Sequence, residues 1–396
     1  YKDYSADLFS VFIWHNINMT KANGYAGYMT PFVWMFIKSY EKLRTALLSN
    51  VKIDSLIQLE YSAFEEATVP INTFVLKNTK NDETGTYLRL SDFKGGMMIQ
   101  GEKVREAIVN PGVKYLYRTN QTNFGKIPGS PIAYWASRPL LQAFKDGRPL
   151  GDLVEAANGM TTGNNNQFLR LWFEVVINNC VFNAQNREEA KESQKKWFPY
   201  NKGGAYRKWY GNYDYVVNWK DDGYDIKTMQ RSDGKVHSIP RSQKYYFREA
   251  ITWSLITSGG FSIRYREPGS IHDVSGMSAF SDNHDQLIRV MALLNSPVGE
   301  HCFKMLNPTI NLQVGNVTVF PVLHSTIEAP TWDSLIQNSV NLTRQDWNSE
   351  ESRWGFRMFP ILIHIAEHNP LTIWLILLFT CLIRITSSPP SQTMAT

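Results

Sequence analysis

Apolar positions in the first 110 residues follow helical and strand-like periods in turn. Leu8, Phe9, Phe12 and Ile13 are spaced as on one face of a helix, and Ser5 is the predicted N-cap. Downstream, runs rich in apolar and β-branched residues are bounded by polar turns, which is typical of strands. The predicted strands are 24–31, 51–60, 69–77 and 85–93, and the further predicted helices are 32–48 and 95–110. Strands that alternate with helices indicate an α/β layer, and this layer is predicted to be truncated at its front edge.

The pattern changes after Pro111. Residues 111–325 carry short strand-like runs, many Gly, Asn and aromatic residues, and few long helical periods, which predicts a second, mainly β or α+β domain. The chain has 396 residues, enough for about two or three domains. Residue 1 is Tyr rather than Met, and the helical pattern begins almost at once. We therefore expect that an upstream part of the protein is missing.

Composition narrows the class of protein. Charged residues make up 19% of the chain, below the roughly 25% of an average globular domain, while aromatic residues reach 13%. The three cysteines, Cys180, Cys302 and Cys381, lie far apart, which excludes a disulfide framework and a thiolate zinc site. A reducing, cytoplasmic location is the resulting expectation.

The positive charge of the chain is local. Residues 185–250 contain 14 Lys or Arg against nine Asp or Glu, so this stretch alone has an excess equal to the net charge of +5. Within it, residues 195–210 hold five basic residues, six aromatic residues and no acidic residue. Basic side chains neutralise phosphates and aromatic faces stack on unpaired bases, so the mixture suits a nucleic-acid groove. The alternative is a solvated basic loop beside an aromatic core strand.

A second segment, 159–172, joins a Gly- and Asn-rich loop to a strand. Asn can make bidentate contacts to adenine edges and Arg to guanine edges, and glycines permit a tight loop with free backbone N–H groups. Loops of this composition also occur as ordinary turns, so composition alone does not decide between the two interpretations.

Motifs for several other chemistries are absent or incomplete. The sequence has no G-x-G-x-x-G, no P-loop and no G-x-S-x-G. His364 and His368 form an H-x-x-E-H motif, but residues 369–396 contain no His, Asp or Glu as a third zinc ligand, so we expect no metal site. The apolar run 371–383 is shorter than the roughly 20 residues of a membrane helix, so we also expect no membrane span.

Five separated segments carry a family resemblance. They are 28–43 (YMTPFVWMFIKSYEKL), 64–70 (FEEATVP), 164–172 (NNNQFLRLW), 197–204 (WFPYNKGG) and 307–315 (NPTINLQVG). In this order they resemble the PglX family, the adenine-specific DNA methyltransferases of type 1 BREX (bacteriophage exclusion) phage-defence systems, which are related to the fused methyltransferases of type II restriction. The resemblance runs from the first residues to about Phe356 and covers only the C-terminal portion of such an enzyme.

The resemblance implies a fold class of α/β plus α+β. Residues 1–118 would be the back half of a Rossmann-like, S-adenosylmethionine-dependent methyltransferase domain, and 119–325 a mainly β or α+β target-recognition domain. Residues 326–357 would be a family extension, and 358–396 an aberrant apolar tail that a frameshift would explain. The intact enzyme would use S-adenosylmethionine to methylate the amino group of a flipped adenine. The cofactor motif and the Asn-Pro-Pro-Tyr motif are absent from this chain, so the fragment is expected to be inactive alone.

The resemblance also assigns residues. Phe64 matches the aromatic residue that stacks on the flipped adenine, and the alternative is a core residue at a strand edge. The expected partner is double-stranded DNA, together with other BREX proteins. The predicted DNA-binding residues are Thr162, Asn164, Asn165, Arg170, Lys195, Lys196, Lys202, Arg207 and Lys208. Two other functions stay open: a stand-alone DNA-specificity module without catalysis, and a protein anchored to a membrane by its apolar tail.

Overall fold

The chain divides into two compact units, each with its own core. The computed structural model describes residues 2–61, 63–64, 69–80, 83–230, 232–256, 260–307, 311–328 and 332–362. The H-x-x-E-H motif, the apolar run 371–383 and most of the predicted tail 358–396 lie outside the described residues. Unit 1 comprises residues 1–156, 255–261 and 281–330, and unit 2 comprises 157–254, 262–280 and 331–396. Residues 119–156, 255–261 and 281–325, which the resemblance assigns to the recognition domain, cluster with unit 1.

Helices and strands alternate along the first part of the chain and become shorter further on. The helices are α1 (Leu8–Met19), α2 (Glu41–Asn50), α3 (Gly96–Val109), α4 (Arg138–Asp146), α5 (Asn165–Phe168), α6 (Arg187–Glu192), α7 (Lys220–Thr228), α8 (His284–Asn295), α9 (Pro297–Leu306), α10 (Val314–Thr318), α11 (His324–Ile327) and α12 (Asp333–Trp347). The strands are β1 (Tyr25–Pro31), β2 (Lys52–Gln58), β3 (Ile71–Lys77), β4 (Thr84–Arg89), β5 (Leu116–Asn120), β6 (Arg148–Pro149), β7 (Glu155–Ala157), β8 (Leu169–Leu171), β9 (Trp197–Asn201), β10 (Tyr215–Asn218), β11 (Ala250–Ser254), β12 (Ile263–Arg266), β13 (Ile271–His272), β14 (Gly276–Phe280) and β15 (Pro321–Val322).

Unit 1 is built on a five-stranded sheet in the order β1-β3-β2-β4-β5. The β2–β4 pair is parallel and the other pairs are antiparallel. One row of side chains crosses all the strands in register, namely Tyr28, Phe74, Leu56, Tyr87 and Tyr117. Because side chains alternate between the faces of a sheet, this row defines one buried face.

Helices cover both faces of this sheet. Ile13 of α1 and Leu47 of α2 are fully buried in the cluster that contains Phe74 and Tyr87. On the opposite face, Leu88 packs with Ala107 of α3 in a second cluster. The result is a three-layer α/β arrangement, as the alternation of predicted elements requires.

Two details of the first helices differ from the sequence-based expectation. Asp7, rather than Ser5, caps α1, and its carboxylate accepts a hydrogen bond from the Leu8 amide at 2.6 Å. The predicted helix 32–48 is divided, because two 3₁₀ turns precede α2. The Arg44 guanidinium donates to the carbonyl of Trp34 at 2.8 Å and to that of Ile37 at 2.7 Å. A buried cation thus holds both carbonyls, and the Ile37 carbonyl also accepts from the Tyr40 amide at 3.1 Å.

The outer edge of the unit 1 sheet is apolar and open within the described residues. Strand β1 ends the sheet, and its Tyr25 and Met29 are exposed. Leu8, Phe12 and Met19 of α1 are exposed as well. Strand β1 is thus an edge strand with an apolar flank in the described part of the chain, and the truncated front edge stays a prediction.

Unit 2 contains the four-stranded sheet β13-β9-β10-β8 and the strands β12, β11 and β14 of a second sheet. Short helices and long loops surround them, so the mixture of α/β and α+β structure is confirmed at this level. The assignments of residues 1–118 to a methyltransferase domain and of residues 119–325 to a target-recognition domain stay predictions.

A buried polar cluster joins the two sheets of unit 2. The Asn201 amide of β9 donates to Thr252 Oγ1 of β11 at 2.6 Å, and Thr252 Oγ1 donates to the Met277 carbonyl at 2.9 Å. His272 Nδ1 lies 2.9 Å from Ser278 Oγ, and His272 is fully enclosed. Because buried polar groups are costly without partners, these bonds fix how the two sheets pack.

His272 makes the stability of unit 2 depend on pH. Burial, and the nearby charge of Arg266, lower the pKa of His272 from 6.5 to about 3. Below pH 6.5 the unfolded chain takes up a proton that the folded chain does not, so stability present at neutral pH is lost as the pH falls. We expect the free energy of unfolding to decrease by about 2 kcal/mol between pH 7 and pH 5 from this residue. Urea denaturation of wild type and His272→Gln at both pH values measures it; an equal pH dependence in the two proteins would contradict the assignment.

Candidate nucleic-acid interface

The two segments predicted to face DNA meet in one sheet of unit 2. Segment 159–172 contains β8, segment 195–210 contains β9, and both strands pair antiparallel with β10. Leu169 and Phe198 share the partner Val217, so β8 and β9 begin at the same end of the sheet. We call this the leading end, and the end where both strands finish the trailing end.

Asparagines and a half-buried arginine lie at the leading end. Asn164 is exposed and caps α5 by accepting from the Gln167 amide at 3.2 Å. Asn165 is exposed and accepts a hydrogen bond from Thr162 Oγ1 at 2.6 Å. Thr162 is only 2% exposed, so it supports the loop rather than facing solvent. Arg170 Nη1 donates to the carbonyls of Asn166 and Leu169 at 2.7 and 2.6 Å.

Two lysines precede β9 at the same end. Lys195 Nζ donates to the Asn178 carbonyl at 2.8 Å, and Lys196 Nζ lies 5.2 Å from the centre of the Trp197 ring. In the described part of the chain, neither lysine nor Arg170 forms an ion pair with a carboxylate. Their charges are therefore not offset by a directly bonded anion, and the leading end carries a basic group suited to phosphates.

The basic residues at the trailing end are partly neutralised. Lys202 Nζ lies 3.9 Å from Asp273 Oδ2, and Arg207 Nη1 lies 3.1 Å from Asp346 Oδ2. The Arg207 guanidinium also stacks over the Trp347 ring at 4.9 Å. Lys208 is half-buried in the same segment. No spacing in the sequence indicates the Arg207–Asp346 pair, because its members are 139 positions apart.

Most aromatic residues of segment 195–210 belong to the core. Trp197, Phe198, Tyr200 and Tyr210 are buried, whereas Tyr206 is exposed. For these four residues the alternative of an aromatic core strand fits the structure, since a buried ring cannot stack on a base. The glycine pair is also structural, because Gly203 has φ +80° and a Cβ there would lie 2.6 Å from the Ser275 carbonyl oxygen.

The two tryptophans singled out in the sequence are half-buried. Trp172 Nε1 donates to the Ser352 carbonyl at 2.7 Å. The Trp209 amide donates to the Ile263 carbonyl at 3.0 Å, which ties the basic segment to β12. Both residues therefore have structural contacts within unit 2.

Phe64 lies in unit 1, in the connection between β2 and β3. Its ring is half-buried and packs against the cluster that contains Leu59, Leu90 and Ala107. Part of the ring is thus held by the core and part stays accessible. Both interpretations of Phe64, a core residue and a base-stacking residue, are compatible with this position.

Among the residues that the structure describes, no group of three or more His, Cys, Asp or Glu side chains could hold a metal ion. Over the same residues, every helix is too short or too polar to cross a bilayer.

Known proteins match this chain over different lengths: a family model matches its first 64 residues, and two curated relatives match nearly all of it. A family model described as Eco57I restriction-modification methylase matches residues 1–64. The adenine-specific methyltransferase PglX of Lacticaseibacillus casei (strain Zhang) is 40% identical over 375 residues, which cover 93% of this chain and 31% of PglX. The adenine-specific methyltransferase BrxX of Escherichia coli O9:H4 (strain HS) is 31% identical over 371 residues, which cover 92% of this chain and 28% of BrxX. The chain thus spans about a third of the length of the curated relatives it matches.

A solved structure matches the fold of most of this chain. The Type IIL restriction-modification enzyme MmeI, in complex with DNA, matches 89% of this chain and 47% of that chain with a TM-score of 0.51 at 10% identity. At this identity the likeness concerns the fold alone. The sequence match to PglX and BrxX runs through both units and confirms the resemblance drawn from the five segments. Over 93% of its length, this chain is similar to the PglX-type adenine-specific methyltransferases.

Proposed function

We propose that this chain is part of an adenine-specific DNA methyltransferase of a BREX or restriction-modification system, in which unit 2 recognises the DNA site. The observation that carries the proposal is the basic leading end of the unit 2 sheet, within a chain that matches PglX through both units. Basic groups without bonded carboxylates supply the phosphate contacts that position a protein on a duplex.

The intact enzyme would take the target adenine out of the base stack. A flipped base needs an aromatic surface on which to stack. Phe64 offers such a surface, because its side chain packs partly against the core and is partly accessible. S-adenosylmethionine would supply the methyl group. The sequence contains neither a glycine-rich cofactor loop nor an Asn-Pro-Pro-Tyr motif, so we assign no residue of this chain to the cofactor and expect the chain alone to be inactive.

A methylation assay tests this proposal. The 396-residue chain, and the same chain extended by the coding sequence upstream of Tyr1, are incubated with unmethylated DNA and radiolabelled S-adenosylmethionine. We expect N6-methyladenine only from the extended protein, with a rate about tenfold lower for Phe64→Ala, the loss expected for one base–aromatic stack.

Two results would contradict the proposal in different ways. Clear incorporation by the chain alone would refute the expected inactivity. DNA binding by both proteins with methylation by neither would favour the stand-alone DNA-specificity module over the enzyme.

A further inference from the structure

Three apolar side chains are exposed on one short loop of unit 2, residues 172–180, which we call the apolar loop. Phe173, Val176 and Ile177 are 56%, 72% and 59% exposed. Scattered single apolar residues on a surface are ordinary, but three exposed on one short loop are typical of a surface that contacts another molecule.

The apolar loop is held in a defined conformation. The Phe173 ring meets the Trp172 ring edge to face at 5.9 Å, and Trp172 is fixed in turn by its bond to the Ser352 carbonyl. Glu174 Oε2 accepts from the Leu171 amide at 2.7 Å, which directs this carboxylate to the backbone. A preorganised loop loses little conformational entropy when it inserts into a partner.

Lysines at the base of the apolar loop indicate the chemistry of that partner. The bond from Lys195 Nζ to the Asn178 carbonyl places an ammonium beside the apolar residues. The Lys196 amide donates to the Asn179 carbonyl at 3.2 Å and so holds the second lysine at the same place. An apolar tip with cations at its base is complementary to duplex DNA, which has apolar base faces inside and phosphates outside.

We propose that Phe173, Val176 and Ile177 form a wedge that inserts between base pairs of duplex DNA while Lys195 and Lys196 contact the flanking phosphates. Apolar wedges of this kind partly unstack a base step and kink the duplex. The inference rests on the proposed DNA-recognition role of unit 2 and adds the means by which unit 2 deforms its DNA. A step that is already unstacked also lowers the energy needed to extrude a neighbouring base.

The test measures DNA bending and affinity separately. Short random-sequence duplexes carry a donor dye at one end and an acceptor dye at the other, so a kink raises energy transfer, and anisotropy gives the affinity. The full chain is compared with the triple variant Phe173→Ser/Val176→Ser/Ile177→Ser. We expect wild type to raise energy transfer, and the triple variant to bind about tenfold more weakly without raising it.

Two control variants separate the wedge from general surface effects. Ile108→Ser/Val109→Ser removes apolar side chains that are 72% and 86% exposed at the end of α3, and it is expected to bend DNA as wild type does. Phe173→Leu keeps an apolar side chain at this position and is expected to retain bending. Circular dichroism checks that each variant is folded, which is expected because the replaced side chains are exposed.

Each remaining outcome decides against one of the proposals. Bending by the triple variant equal to that of wild type would overturn the wedge, as would wild-type binding without a change in energy transfer. A changed oligomeric state of the triple variant in light scattering, with bending retained, would show that the loop contacts a second copy instead. Failure of wild type to bind any duplex would refute the DNA-recognition role on which the wedge rests.

Discussion

Gly159→Ala is expected to destabilise unit 2 by about 3 kcal/mol or more, because overpacking at a backbone contact leaves no side chain that can move aside. A Cβ on Gly159 would overlap the His272 carbonyl oxygen and lie 2.5 Å from that of Asp273. The next residue, Met160, donates its amide to the His272 carbonyl at 2.6 Å and accepts from the Val274 amide at 3.0 Å. The added methyl group would push these two backbone segments apart and break both bonds.

The measurement must resolve the two units. Hydrogen exchange followed by mass spectrometry is expected to show lost protection in β9 and β13, with protection retained in β2 and β3 of unit 1. Gly27→Ala is the matched control, since a Cβ at Gly27 has nothing within 4 Å. Equal unfolding midpoints of Gly159→Ala and wild type in urea would show that the close approach at Gly159 is not needed.

The sequence pattern predicts the first layer of the fold well, because its elements are local. The predicted strand 69–77 and helix 95–110 correspond to β3 (Ile71–Lys77) and α3 (Gly96–Val109). The division of the predicted helix 32–48 could not be predicted in the same way. It depends on Arg44, which bonds two carbonyls of this segment and also the Gly129 carbonyl, 85 positions away. Periodicity carries no information about such a distant partner.

At the candidate interface, sequence composition locates the basic residues, but it does not tell which of them pair with a carboxylate. Lys195 and Arg207 lie in the same basic, aromatic-rich segment of the sequence. Lys195 nevertheless contacts a backbone carbonyl, whereas Arg207 contacts a carboxylate of α12. The exposure of Phe173, Val176 and Ile177 also could not be predicted from the sequence, because an apolar run is typical of a buried strand. Only the tertiary structure separates charges that are available to phosphates from charges that hold the fold together.

Removal of the three basic side chains at the leading end is expected to weaken DNA binding by about 100-fold near 0.1 M salt, as the loss of three phosphate contacts requires. The variant is Arg170→Gln/Lys195→Gln/Lys196→Gln. These residues contact backbone carbonyls and an aromatic ring, so their charges are available to DNA. The three side chains are half-buried and none lies in the core, so the fold is expected to persist. The slope of log affinity against log salt should become shallower by about 2.7.

The trailing end supplies a control with the same change in net charge. Lys202→Gln/Arg207→Gln/Lys208→Gln also removes three positive charges, but Arg207 pairs with Asp346 and Lys202 lies near Asp273. A phosphate would have to compete with these carboxylates, so we expect a loss of affinity of less than about tenfold and a smaller change of slope. Anisotropy titrations of a labelled random-sequence duplex at several salt concentrations give both quantities for wild type and the two variants. Equal losses in the two variants would mean that binding depends on net charge alone, and a larger loss for the trailing-end variant would place the DNA at the opposite end of the sheet.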